Sequence, residues 1–383
     1  MKDKKKILIC VDWYTPGFKA GGPIRSVANM VEEFKKDYDF YILTSAYDLG
    51  DYKPYKNVVL NQWHDQNGVF IKYLDKSCLN YPTIKGNIYE VDPDVMYLNS
   101  LFSKNFTLYP LRFARKFSKK VVLAPRGMLG KGALEIKQSK KQIFLSIAKI
   151  LGWYKNVIWH ASTHEEVEEI QHVFGEHSKI KIAQNIPVRQ KYSLEQVKEF
   201  KKTGKVKFIF MSRISKKKNL HLAINALKSI KLDRAVEFDI YGINEDRLYF
   251  ESFRKDIGKL SAMLTINYKG EVHPSKVPEL FAKADYMLLP TMHENFGHTI
   301  VEAWANGCPV VLSQNTPWHN LEEKNVGWDV NIEEPDALAN TLDLAIHLNF
   351  DNYMKKVEDS FNFFKDEVMD HRIIDDHKTL LSL

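Results

Sequence analysis

The feature that most narrows the fold is a set of short, wholly apolar runs. In the first half of the chain they are Ile7-Leu8-Ile9-Cys10-Val11, Phe40-Tyr41-Ile42-Leu43, Val95-Met96-Tyr97-Leu98 and Val121-Val122-Leu123. A strand with one wet face alternates apolar and polar residues; an unbroken run of four or five is a strand covered on both sides. Between the first two runs Ile24, Val27, Ala28, Val31 and Phe34 recur at helical spacing. Strand runs alternating with amphipathic helices predict an α/β chain with parallel sheets. The pattern restarts at Lys207-Phe208-Ile209-Phe210-Met211. A helix follows over Leu220, Leu222, Ala223, Ala226 and Leu227, then runs at Phe238–Tyr241, Leu264–Ile266, Tyr286–Leu289 and Pro309–Leu312.

A polar, lysine-rich segment, Pro187 to Lys205, separates the two sets, and 383 residues suit two domains. We place one Rossmann-like, doubly wound domain at residues 1–188 and a second at 189–360. A helical, Phe-rich closing segment, 361–383, is expected to pack back on the first domain. Ligands of such sheets lie at the carboxyl ends of strands, so a cleft between facing domains is the expected site.

The net charge is +7, with a concentrated excess from Lys116 to Lys155, where ten Lys/Arg meet one acid, Glu135. That favours anionic surfaces or substrates. Nucleic acid is not an expected partner, because no zinc-finger or aromatic RNA-binding signature accompanies the charge. Cys10, Cys78 and Cys308 lack metal or disulfide spacing, which fits a reducing, cytoplasmic setting. Ile7–Val11 is too short for a signal-peptide core, and no run approaches the ~20 residues of a membrane span.

Three segments carry chemistry. In His293-Glu294-Asn295-Phe296-Gly297-His298-Thr299-Ile300-Val301-Glu302, two carboxylates lie eight positions apart between a strand and a helix that stops at Gly307. Glu294 falls in the loop and Glu302 about one turn inside the helix. Free N–H groups and the positive dipole end at a helix start suit phosphates and sugar hydroxyls. Met211-Ser212-Arg213-Ile214-Ser215-Lys216-Lys217-Lys218 joins a strand to a helix, so that Arg213 and Lys218 can converge on a diphosphate; alone it would read as a solvated lysine run. The third, Gly17 to Pro23, is either a ligand loop or a plain strand-to-helix turn. There is no G-x-G-x-x-G and no P-loop. Asp37-Tyr38-Asp39 and Asp92-Pro93-Asp94 precede apolar runs and read as polar turns, so no metal site and no cofactor is expected.

Gly21-Gly22, Arg213, Lys218, Gly270, Glu294-x-Phe296-Gly297 and Glu302-Ala303-x-Ala305-x-Gly307-x-Pro309-Val310-Val311 together resemble the large retaining glycosyltransferase family four, with its GT-B fold. Gly21–Ser26 and Ala124-Pro125-Arg126-Gly127-Met128-Leu129 resemble bacterial members that build capsules, O-antigens or exopolysaccharides. The resemblance implies that Arg213 and Lys218 neutralise the diphosphate of a nucleotide-sugar and that Glu302 holds the ribose. It implies that Glu294 contacts the transferred sugar, and that the backbone of Asn295, Phe296, Gly297, His298 and Thr299 binds hydroxyls and phosphate. Gly21 and Gly22 would let their loop close over the diphosphate, Gly270 to Val272 would lie near the base, and the first domain would take the acceptor while the second binds the nucleotide-sugar.

One departure stands out. Where many relatives carry a histidine, this chain has Arg126, either to meet an anionic group on the acceptor or to brace its loop. His164 matches a region near the family's cleft, and a structural role is the favoured reading. Ile143, Phe144, Ile147, Ile150, Leu151 and Tyr154 share a helical face beside Lys140, Lys141 and Lys149. That face either packs into the core, the favoured reading, or docks on an anionic membrane that presents a lipid-linked acceptor. The expectation is a cytoplasmic, metal-independent, retaining hexosyltransferase acting on a growing surface glycan, with the inner face of the cell membrane as its setting under the docking alternative. A GT-B sugar-nucleotide epimerase and a non-catalytic glycan-binding subunit are the alternatives.

Overall fold

The structure, a computed structural model, describes residues 4–130, 134, 138–201 and 204–382; Glu135, the acid within the basic segment, lies outside them. The chain forms two compact units, one of Met1–Ile186 with His371–Leu383 and one of Pro187–Asp370. Residues 361–370 therefore complete unit 2, and the return to unit 1 begins at His371.

Unit 1 is built on β1 (Lys6–Val11), β2 (Asp39–Ser45), β3 (His64–Asp65), β4 (Phe70–Leu74), β5 (Val95–Leu98), β6 (Lys120–Leu123), β7 (Ile158–Ala161) and β8 (Ile180–Ile182). Their order is β3-β4-β2-β1-β5-β6-β7-β8, with every pairing parallel except β3 with β4. Side chains alternate across β1, which explains why its run has no polar position. Ile7, Ile9 and Val11 pack with Val27, Met30, Val31 and Phe34 of the helix Gly22–Phe34 and with Ile373, Leu380 and Leu381 of the helix His371–Leu381. Leu8 and Cys10 face the opposite core, with Ile84, Ile88, Leu111 and Phe113. Each face of the sheet is sealed by helices, as a parallel sheet requires.

Unit 2 repeats the plan with β9 (Val206–Met211), β10 (Val236–Tyr241), β11 (Gly258–Lys259), β12 (Leu264–Gly270), β13 (Tyr286–Leu289), β14 (Val310–Ser313) and β15 (Gly327–Val330). The order is β11-β12-β10-β9-β13-β14-β15, and only β11 is antiparallel to its neighbour. In both units the direction of winding reverses beside the first long strand, between β1 and β5 and between β9 and β13. Loops diverge there, and the gap outside the carboxyl ends of the strands is where such sheets hold ligands.

Candidate active site

In unit 2 the two loops flanking the reversal are stapled together. The carbonyl of Lys217, after β9, accepts from the N–H of Met292 at 2.8 Å and from Thr291 Oγ1 at 3.1 Å, both after β13. Lys216–Lys218 form one 3-10 turn, which ends on Asn219 in the left-handed region (φ 57°) before the helix Leu220–Ser229 begins. That turn buries Lys218 and aims its ammonium at the carboxylate of Glu294, to which it donates a hydrogen bond. Glu294 is positioned from behind by its own N–H, which donates to Asn315 O at 3.0 Å.

Gly297 starts the helix His298–Ala305 with a φ of 78°. A Cβ there would lie 3.2 Å from Glu294 Cγ and 3.1 Å from Ile300 Cγ1, so the close approach of helix start and acid needs glycine. Trp318 Nε1 donates to Phe296 O at 2.6 Å and holds the loop from the other side. Glu302, the fifth residue of the helix, is buried at 3% exposure.

Burial pushes the Glu294 carboxyl up, but the charge and hydrogen bond of Lys218, with Lys217 and His293, outweigh it and hold the group below the usual carboxylate range. Burial and the positive charge of Lys217 keep His293 below its ordinary value. Arg213 is half exposed and pairs with Glu245 at 2.7 Å. Gly242 closes this side: its N–H donates to Gly270 O at 2.9 Å, and its φ of 151° brings its Cα so near Ser212 that any Cβ would collide with the Ser212 carbonyl. Gly270 has a φ of 74° at the end of β12, and Val272 packs against the unit 2 core.

Gly270 ends β12, and Arg213, Lys218, Val272, Glu294, the Asn295–Thr299 backbone and Glu302 follow the carboxyl ends of β9, β12 or β13. Of these, Lys218 and Glu294 are in direct contact. Sequence reasoning did not find Glu245, Gly242, Thr291, Asn315 or Trp318. Glu245 and Asn315 sit in unremarkable polar loops, whereas Gly242 directly after an apolar run carried a usable signal.

Gly21, Gly22 and Arg126 belong to unit 1. Gly21 (φ 68°) caps the helix Gly22–Phe34, and the preceding loop is held by Asp48, which accepts from the N–H of Phe18 at 2.9 Å and of Lys19 at 3.2 Å. Arg126 (φ 55°) donates through Nε to Asn99 Oδ1 at 2.7 Å, through Nη1 to Asn185 Oδ1 and through Nη2 to Tyr97 OH at 2.7 Å. Asn99 Nδ2 in turn donates to Pro23 O at 3.1 Å, which links Arg126 to the start of that helix. His164 is exposed at the first turn of the helix His164–Phe174. Asp92 pairs with Lys119 at 2.6 Å, and Asp94 accepts from the Lys6 N–H at 2.8 Å.

The basic helix Gln138–Ile150 corrects one expectation. Its core face is Leu145 and Ala148, with Tyr154 just beyond the helix, while Ile143, Ile147, Ile150 and Leu151 are 62%, 45%, 85% and 51% exposed. Two faces were read as one: about 100° per residue places Ile143, Ile147 and Ile150 in a stripe beside Lys140, well away from Leu145 and Ala148.

The fold is that of the GT-B glycosyltransferases. Over 99% of this chain and 100% of its own, the structure of Anabaena Alr3699/HepE in complex with UDP-glucose is similar, with a TM-score of 0.74 and 16% identity. WaaG, a glycosyltransferase involved in lipopolysaccharide biosynthesis, is similar over 97% of this chain and 99% of its own, with a TM-score of 0.67 and 15% identity. Residues 193–359, within unit 2, match the family model Glycosyl transferases group 1. An uncharacterized 41.2 kDa protein in the cps region of Klebsiella pneumoniae is 24% identical over 258 residues, 65% of this chain and 68% of that protein.

Proposed function

We propose that this protein is a retaining glycosyltransferase of family four that moves a hexose-type unit from a nucleotide-sugar to a growing, lipid-linked surface glycan. The observation that carries the reading is the Lys218–Glu294 pair at the strand-order reversal of unit 2, directly before a glycine-capped helix. Lys218 and Arg213 take the diphosphate, displacing their present carboxylate partners, and balance the charge that develops as the glycosyl–phosphate bond breaks. Glu294, freed from Lys218, meets the sugar on its reacting face, where positive charge develops. The N–H groups of Asn295–Thr299 bind hydroxyls and phosphate, Glu302 holds the ribose, and the base lies by Gly270 and Val272. The acceptor oxygen adds to the sugar carbon on the face the diphosphate leaves, and its proton passes to the leaving phosphate.

With two protein cations at the diphosphate, the reaction needs no divalent metal and no further cofactor. The outward isoleucine stripe, with Lys140 and Lys149 on the same helix, supports peripheral docking on an anionic membrane at the cytoplasmic face, where a lipid-linked acceptor is presented. The relative from a cps region agrees with a capsule-type product.

The test is a thermal-shift panel of nucleotide-sugars in excess EDTA, followed by release of nucleoside diphosphate with a glycan acceptor extract. One nucleotide class should raise the melting temperature and be turned over with retention. A panel without any stabilising nucleotide would remove the reading, and a strict requirement for added metal would remove its metal-free part.

A further inference from the structure

Arg126 follows β6, next but one to the reversal of strand order in unit 1 and tied through Asn99 to the start of the helix Gly22–Phe34. Its guanidinium is held by three neutral oxygens, those of Asn99, Asn185 and Tyr97. Among the described residues, no carboxylate forms an ion pair with it. The buried carboxylate of Glu166, on the neighbouring helix, is committed to the N–H groups of Gly127 (2.7 Å) and Ser162 (2.8 Å) and to Ser162 Oγ (2.7 Å).

The oxygens around Arg126 belong to a polarised chain. Tyr97 OH accepts from Arg126, so its own proton points to His160 Nδ1 at 2.7 Å, and His160 Nε2–H then donates to Ala183 O at 2.7 Å. This arrangement requires a neutral His160. Burial, followed by the charge of Arg126, holds that ring well below its ordinary value. His377 stacks edge-on to it at 5.3 Å and is itself held at about 4, chiefly by burial. Dipoles and neutral rings therefore steady the cation without cancelling it. A guanidinium has five N–H groups, and three are used here, which leaves one on each Nη for an incoming anion. A charge fixed by neutral partners is how a protein prepares a seat for carboxylate or phosphate.

We infer that Arg126 is the anion-reading residue of the acceptor subsite, and that the acceptor carries a phosphate or carboxylate on the sugar bound at unit 1. This rests on the glycosyltransferase reading above. It gives a reason for arginine rather than histidine at this position, since arginine keeps its charge at every physiological pH.

The experiment uses the full chain with UDP saturating, so that the cations of unit 2 are occupied. Binding of methyl glucuronide, glucose 6-phosphate and neutral methyl glucoside is measured by calorimetry. Both anionic sugars, or one of them, should bind about tenfold or more tightly than the neutral one, as charge-assisted hydrogen bonds allow. The arm that wins separates a carboxylate from a phosphate. Arg126→Gln should erase the preference, and Arg126→Lys should keep part of it. Equal binding of charged and neutral sugars to the unaltered protein overturns the inference, as does a preference that survives in folded Arg126→Gln. Where that variant does not fold, the comparison in the unaltered protein decides alone. UDP binding is read in the same samples. Where UDP does not bind, the nucleoside diphosphate that stabilises the protein replaces it; binding of none counts against the function proposed for unit 2, and the sugars are then compared without nucleotide.

Discussion

Lys218 and Glu294 form an ion pair that joins the loops after β9 and β13, with side chains only 10% and 19% exposed. Removing two charges from water costs more than such a pair usually returns, so the arrangement is a poor device for stability alone. Under the proposed function, the pair gives way to a more highly charged partner, the diphosphate. Lys218→Met should lower stability by about 2 kcal/mol, because it leaves a shielded carboxylate unpaired, and should abolish nucleotide-dependent stabilisation. Denaturant titration with and without nucleotide reads both effects.

The two acids should separate kinetically. Glu294→Ala should lower turnover by about a hundredfold while changing nucleotide affinity little, since its contact strengthens as charge develops on the sugar. Glu302→Ala should instead weaken nucleotide binding by about tenfold, the loss of one charge-assisted hydrogen bond. Steady-state kinetics beside calorimetry tells them apart. Full activity in both variants would take these carboxylates out of the mechanism.

Glu245 competes for the Arg213 guanidinium at 2.7 Å. An exposed pair of this kind contributes roughly 0.2–1 kcal/mol. Glu245→Gln should therefore tighten nucleoside diphosphate binding by about 1.4- to fivefold, and the gain should vanish in the double variant with Arg213→Ala. Unchanged affinity in Glu245→Gln would mean that Arg213 does not reach the diphosphate.

Acid should weaken unit 1. His377 is held at about 4 when folded, against an ordinary value near 6.5. Between these values the unfolded chain binds more protons, so stability falls as pH drops through that window, by roughly 2 kcal/mol from pH 7 to pH 5. His160, depressed by the same burial, acts in the same direction. Denaturant midpoints measured across this range should slope less in His377→Asn than in the unaltered protein.

The exposed stripe gives a surface test. Ile147→Glu and Ile150→Glu should leave the melting temperature within about 2 °C, since substitutions at exposed positions rarely exceed ±0.5 kcal/mol. They should sharply reduce salt-sensitive co-sedimentation with anionic vesicles. Sedimentation that ignores lipid charge would remove the membrane proposal.

Much of the fold was legible because parallel strands have no polar face. The run from Ile7 to Val11 and that from Tyr286 to Leu289 could hardly be anything else. β4, with Lys72 in its middle, and β7, with His160, were missed because a polar residue interrupts the run. In β7 that polar residue is satisfied by a partner brought from elsewhere, Tyr97, which no local pattern records. The same limit applies to the site. The loop acids and cations were visible as types and spacings, but the pairings were not, because Glu245 reaches Arg213, and Glu294 reaches Lys218, across long stretches of chain. The amphipathic helix shows a further difficulty: apolar residues on adjoining arcs merge when only their spacing is read, although one arc faces the core and the other the solvent.

The helix His371–Leu381 completes a unit whose other residues end at Ile186. Ile373, Leu380 and Leu381 seal one face of the sheet around β1, and His377 donates to Gln184 O at 2.9 Å. During synthesis, the first half of the chain therefore leaves the ribosome with an open seam, and that seam closes only after all of unit 2 has been made. Unit 2, continuous in sequence, has no such delay and is free to fold first, the reverse of the usual order for a chain of two domains.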